Sequence, residues 1–285
     1  LNPACLFAAC RIKVPSQISL PWRQIAWCGL LLFCSATHAG SLPFSIEAAS
    51  YLIQVDHQTR WQRDADKKLP PASLTKLMMA LLVLERYQPE DIVTISPTAT
   101  RETGTRLLLK SGSRMSVQNL LAASLINSAN DSCHALAEYV SGDEAHFVKL
   151  MNQRARAWGL RTTHFTNACG HDDARHYSSA RDLAGLANKA LLSPIILALV
   201  AQPEMTIQAQ DGTRYQLMNK NALIGRYDGA IGLKTGFTPK AGKCVIALVE
   251  RQGIKVLAVM LNAPNRWWDV SVAMDYAFSH AHPES

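Results

Sequence analysis

Acidic residues are missing altogether from residues 1–39, and the 285-residue chain has fewer of them (22 Asp and Glu) than of Lys and Arg (29). Three of the cations, Arg11, Lys13 and Arg23, precede residue 40, so the formal charge of +7 falls to +4 beyond it, 26 cations against 22 anions. Aromatic residues are few, at 7%, and no strip interleaves them with basic side chains, which excludes a nucleic-acid-binding reading. Gly (15) and Pro (13) are sparse, and no repeat or long linker occurs, so a collagen-like, low-complexity or disordered chain is excluded. The uncharged run at 25–36 is 12 residues long, too short to span a bilayer comfortably. Arg23 precedes it, and Thr37 and Ala39 stand where cleavage before Gly40 requires small residues. Residues 1–39 are therefore read as an export signal, with residues 40–285 as the working domain.

Cysteine is scarce beyond the signal. Cys133, Cys169 and Cys244 form an odd set without C-x-x-C spacing, which encodes neither a disulfide framework nor a zinc site. They are expected to be three small buried hydrophobes.

Residues 49–56 read as a strand with a return through Trp61, and Pro70-Pro71 then breaks the chain. From Ser73 to Tyr87 the pattern is apolar almost all round, which predicts a helix buried on every side. Further helices are expected from Ser116 to Ile126, Asp131 to Val140, Asp143 to Trp158 and Ala180 to Leu192. Beyond Pro203 the period changes to that of strands. Met205–Ala209 and Arg214–Leu217 flank Asp211-Gly212, and Lys243–Glu250 and Ile254–Leu261 flank Gln252-Gly253, before a closing helix at 267–280. Strands at both ends predict one antiparallel sheet with helices on its face and an inserted helical subdomain at about 77–200, an α+β arrangement within the α/β class.

Three short motifs carry chemistry. Ser73-Leu-Thr-Lys76 sets a hydroxyl and an amine on one helix face, at the positive end of the helix dipole. Apolar neighbours depress the pKa of Lys76, which is how a serine is activated without histidine. Ser128-Ala-Asn130 lies between two helices, where a hydroxyl and an amide are free to meet a substrate. Lys234-Thr235-Gly236 ends an apolar stretch and is expected to present a protonated lysine at an accessible strand end. Each motif alone is common. Their order is specific, with Ser128 following Lys76 by 52 residues and Lys234 following Asn130 by 104.

This series, with Pro70-Pro-Ala-Ser-Leu-Thr-Lys76 and Lys234-Thr-Gly-Phe-Thr-Pro-Lys-Ala-Gly242, resembles the low-molecular-mass penicillin-binding proteins of the D-Ala-D-Ala carboxypeptidase family, the serine peptidases of the S11 type. Phe165-Thr-Asn167, the His176-Tyr-Ser-Ser-Ala180 segment with Asp182-Leu183, and Asn219-Lys-Asn221 are similar too, so the likeness covers about 45–280. It implies a β-lactamase/transpeptidase-like fold and a substrate of peptidoglycan stem peptides ending in D-Ala-D-Ala, with β-lactams as covalent inhibitors. It implies Ser73 as nucleophile, Lys76 as base and Ser128 as proton relay. Asn130 would hold the substrate amide, Lys234 and Thr235 the terminal carboxylate, with Gly236 allowing close approach. The N–H groups of Ser73 and Phe237 would form the oxyanion hole, and Arg266 would assist carboxylate binding. No metal or cofactor is implied. His171, Asp172, Asp173 and His176 are accordingly read as a metal-free loop.

Many relatives continue into a β-rich domain and an anchoring helix, whereas this sequence stops at Ser285; the expectation is a periplasmic protein without a stable membrane anchor. Relatives without an anchor include endopeptidases that cut cross-links, so that subtype stays open beside the carboxypeptidase. A β-lactamase is disfavoured because no Glu-x-x-Leu-Asn string occurs, and a non-catalytic penicillin-binding sensor because all three motifs are intact.

Overall fold

The computed structural model describes residues 40–281; the export signal expected at 1–39 lies outside them. Strands β1 (Ser50–Val55) and β2 (Gln58–Arg63) form the first hairpin. Helix α1 (Lys76–Leu84) follows, then the short strands β3 (Ile92–Thr94) and β4 (Arg114–Ser116). Next come α2 (Val117–Leu125), α3 (Asn130–Ser141), α4 (Glu144–Ala157), α5 (Ala180–Ala190) and α6 (Pro194–Val200). The chain returns through β5 (Glu204–Gln208), β6 (Arg214–Met218), β7 (Ala230–Thr238), β8 (Gly242–Arg251) and β9 (Ile254–Leu261), and α7 (Arg266–Ser279) closes it.

The main sheet is antiparallel in the order β2-β1-β9-β8-β7, so both chain ends contribute to it, as the sequence pattern requires. Alternation along the strands divides two apolar cores. Leu52, Ile246, Leu248, Leu257 and Val259 face the helical layer, while Ile53, Val245, Ala247, Val256 and Met260 pack with Val270, Ala273 and Met274 of α7. A sheet covered on both faces explains why β8 and β9 are apolar nearly throughout. The inserted segment is mostly helical but also holds the β3–β4 ladder, whose three-residue strands carry too little pattern to be read in advance. Among the described residues, no single helix is long and apolar enough to cross a membrane.

Capping sets the helix starts. The side chains of Ser116, Asp143 and Ser179 accept from the backbone N–H three residues on, and so does Ser193, which starts α6 with Pro194 in its first turn. The apolar helix begins later than expected. Ala72–Thr75 is a 3₁₀ turn and α1 opens only at Lys76, ending at Leu84 rather than Tyr87.

The cysteine expectation needs correction. Cys133 of α3 and Cys169 of the loop before α5 are joined in a disulfide with Cα atoms 5.9 Å apart, and among the described residues Cys244 is the one free thiol, and it is buried. Pairing depends on a through-space approach that sequence spacing does not report.

Candidate active site

The 3₁₀ turn and the start of α1 place Ser73 and Lys76 on one side. Lys76 is fully buried, and its Nζ lies 2.9 Å from Ser73 Oγ, 2.7 Å from Asn130 Oδ1 and 2.7 Å from the carbonyl oxygen of Cys169. Burial pulls the Lys76 pKa down to about 7, against the opposing pull of the Glu102 and Asp131 carboxylates. A neutral amine has two hydrogens and one lone pair. The two carbonyl acceptors take the hydrogens, which leaves the lone pair directed at the Ser73 hydroxyl.

The surroundings hold those acceptors still. Asn130 Nδ2 donates to Thr103 O at 2.6 Å, which fixes the orientation of its amide, and its backbone N–H donates to Thr105 O at 2.7 Å. Asp131 accepts from the N–H groups of Leu107 and Leu109 and so ties that loop to α3. Gly170 packs against the turn carrying the nucleophile: a Cβ there would come 2.0 Å from Ala72 O and 2.9 Å from Ser73 N. His176 accepts at Nδ1 from Thr166 N–H (3.1 Å), so its Nε2–H faces Thr75 Oγ1 at 2.9 Å. Burial lowers the His176 pKa to about 4 and keeps this ring neutral. Ser128 takes a left-handed conformation (φ +63°) in the turn between α2 and α3, and its Oγ accepts from Lys234 Nζ at 2.9 Å.

The opposite wall is β7, the edge strand. Lys234 is not at the accessible strand end that the sequence pattern predicts; it is 1% exposed, because the 3₁₀ turn that carries Ser73 and helix α6 pack on this strand and its Nζ reaches across to Ser128. Its Nζ also donates to Thr235 O at 3.0 Å. Burial, then the nearby charges of Lys76, Arg266 and Lys220, push its pKa well below the usual lysine range. Gly236 lets β7 meet the nucleophile turn: a Cβ there would lie 3.0 Å from Ala72 Cβ and 3.1 Å from Ser73 N. Arg266 supports this strand through Nη1, which donates to Gly236 O (2.9 Å) and Cys244 O (3.2 Å). Its guanidinium lies over the Trp267 ring. Thr235 is buried and Phe237 exposed at the rim.

Between the walls is an open cleft of about 490 Å³, bordered by Ser73, Ser128, Asn130, Gly170, His171 and Phe237. His171 does not meet Asp172, Asp173 and His176 in a ligand cluster. Its Nε2 pairs with Glu102 at 2.6 Å, and Asp172 accepts from the Lys240 N–H across the cleft end. Glu102 also pairs with His134 Nδ1 at 2.7 Å; burial works against its charged form, but the two histidines hold its pKa down at about 2. Glu102, His134 and the Cys169 carbonyl escaped the sequence reading, since a backbone acceptor and a through-space triad leave no spacing signature.

The D-alanyl-D-alanine carboxypeptidase model of the peptidase S11 family matches residues 36–265. The chain is 34% identical to D-alanyl-D-alanine carboxypeptidase DacF of Bacillus subtilis over 78% of its own length and 60% of DacF. It is 32% identical to a D-alanyl-D-alanine endopeptidase of Pseudomonas aeruginosa over 78% of its length and 74% of that protein. In structure it resembles the Streptomyces K15 DD-transpeptidase, with a TM-score of 0.78 and 27% identity over 83% of this chain and 98% of the other. With its serine, lysine and β7 edge arranged around one cleft, this chain belongs to the peptidase S11 family of D-alanyl-D-alanine carboxypeptidases.

Proposed function

We propose that this protein is a penicillin-sensitive serine D,D-carboxypeptidase that removes the terminal D-alanine from peptidoglycan stem pentapeptides. The observation that carries the reading is Lys76 Nζ at 2.9 Å from Ser73 Oγ, with two carbonyls placed to occupy its hydrogens. Lys76 takes the hydroxyl proton as Ser73 Oγ bonds to the carbonyl carbon of the penultimate residue. The developing oxyanion is met by the N–H groups of Ser73 and Phe237. The C–N bond then breaks, and Ser128 passes the proton to the leaving D-alanine amine. Asn130 holds the substrate amide. Lys234 and Thr235 bind the terminal carboxylate, the anion that a buried lysine among other cations lacks, and Arg266 keeps their strand in place. Water then hydrolyses the Ser73 ester. β-Lactams acylate the same serine.

The site works outside the cytoplasm, on the periplasmic side reached through the export signal. The Cys133–Cys169 disulfide supports this, because such bonds persist in oxidising compartments.

A D,D-endopeptidase is the second reading, favoured by the likeness to the Pseudomonas aeruginosa endopeptidase. The bond-breaking chemistry is the same; the amine leaving group is a cross-linked side chain instead of free D-alanine. Digestion of purified peptidoglycan, followed by mass analysis of the muropeptides, separates the two. The carboxypeptidase releases D-alanine from pentapeptides and leaves dimers intact. Conversion of dimers to monomers would assign the endopeptidase.

A further inference from the structure

The two carbonyls that orient Lys76 come from different parts of the chain. Asn130 is the first residue of α3, and Cys169 lies on the loop that precedes α5. One turn along α3 from Asn130 stands Cys133, and its sulfur is bonded to that of Cys169 itself. The bond therefore closes a ring: lysine amine, Asn130 amide, one turn of α3, the disulfide, and the Cys169 carbonyl back to the amine. Gly170, next in the chain, is in contact with the Ala72–Ser73 backbone, so the same loop also sets the back of the nucleophile turn.

From this arrangement we infer that the Cys133–Cys169 disulfide is a positioning element of the active site, holding the Cys169 carbonyl on Lys76 so that the amine directs its lone pair at Ser73. The inference rests on the roles proposed above for Ser73 and Lys76. Without the bond, the loop keeps its hydrogen bonds at Asn167 and Ala168 but loses its covalent hold on α3. Water then reaches the amine, and the desolvation that depresses its proton affinity is relieved. The charged groups around Lys76 are Glu102 before the 103–109 loop, Asp131 on α3 and Lys234 on β7. None of them is altered by removing the sulfurs.

The test is the rate of covalent labelling by a fluorescent penicillin as a function of pH, on purified full-chain protein. Wild type is compared with Cys133→Ala/Cys169→Ala, with Cys133→Ser/Cys169→Ser, which retains the volume, and with Met151→Ala. Met151 is buried on α4, a helix that supplies no member of the ring, and its truncation costs stability. In the cysteine pairs the acid limb should move from about pH 7 to higher pH by about one unit, lowering the rate at pH 7 about fivefold, while Met151→Ala leaves the limb in place. An unmoved limb in folded cysteine variants, or an equal movement in Met151→Ala, overturns the positioning role and leaves the serine–lysine reading standing. Failure of both cysteine pairs to fold also overturns it, since the bond is then a folding staple. A wild type that is never labelled overturns both readings together.

Discussion

The two walls of the cleft are built on opposite electrostatic plans. On the helical side, Lys76 is surrounded by fixed acceptors, Asn130 and Cys169, with the Glu102 and Asp131 carboxylates at longer range. On the strand side, Lys234 meets a hydroxyl and one carbonyl and feels the like charges of Lys76, Arg266 and Lys220. Both lysines are buried, so burial alone does not separate their tasks. The neighbours by themselves act the other way, since the carboxylates favour a charged Lys76 and the like charges a neutral Lys234; the tasks proposed for the two lysines rest instead on the amine aimed at Ser73 and on the anion that a substrate carboxylate brings to Lys234.

Substitutions that abolish one charge state break this contrast most strongly. Lys76→Arg keeps a cation but cannot release its proton, so penicillin acylation should fall by roughly a thousandfold or more. Acylation within tenfold of wild type would place the base elsewhere. Lys234→Ala removes the anion-binding group and should reduce kcat/KM for a peptide ending in a free carboxylate by about a hundredfold, from a charge-assisted bond of roughly 2–3 kcal/mol. Lys234→Arg, which retains charge, should recover part of that loss. Equal defects in the two Lys234 variants would show that shape rather than charge matters on this wall.

The finest adjustment is Glu102→Gln. Removing a carboxylate that raises the Lys76 pKa should shift the acid limb of the acylation profile to lower pH by a few tenths of a unit, about 0.5 kcal/mol, at little cost in plateau rate. A shift in the other direction would mean that the Glu102–His134–His171 group acts on the lysine through packing and not through its charge.

Most of the frame was legible because it rests on local pattern. Ile254–Leu261 alternates between two buried faces, and Asp211-Gly212 marks the β5–β6 hairpin by a turn with Gly212 at φ +87°. The motif order brought Ser73, Lys76, Ser128, Asn130 and Lys234 together on paper, and the structure sets them around one cleft. What was not legible depends on contacts between distant segments. Lys234 lies on an edge strand, yet the 3₁₀ turn that carries Ser73 and helix α6 pack on that strand, and neither is visible from the strand's own sequence. The disulfide was set aside on an odd cysteine count, although three cysteines accommodate one pair and one free thiol. The pattern predicts no helix directly after Leu192, yet Ser193 and Pro194 together start α6.

The central claim is that Lys76 acts as a neutral base on Ser73, and the pH dependence of acylation tests it most directly. Second-order labelling rates of the full chain with a fluorescent penicillin, measured from pH 5 to pH 9, should rise roughly tenfold per pH unit on the acid side and level off above about pH 7, with no labelling of Ser73→Ala. A rate independent of pH across that range, or covalent labelling that survives the loss of Ser73, would contradict it.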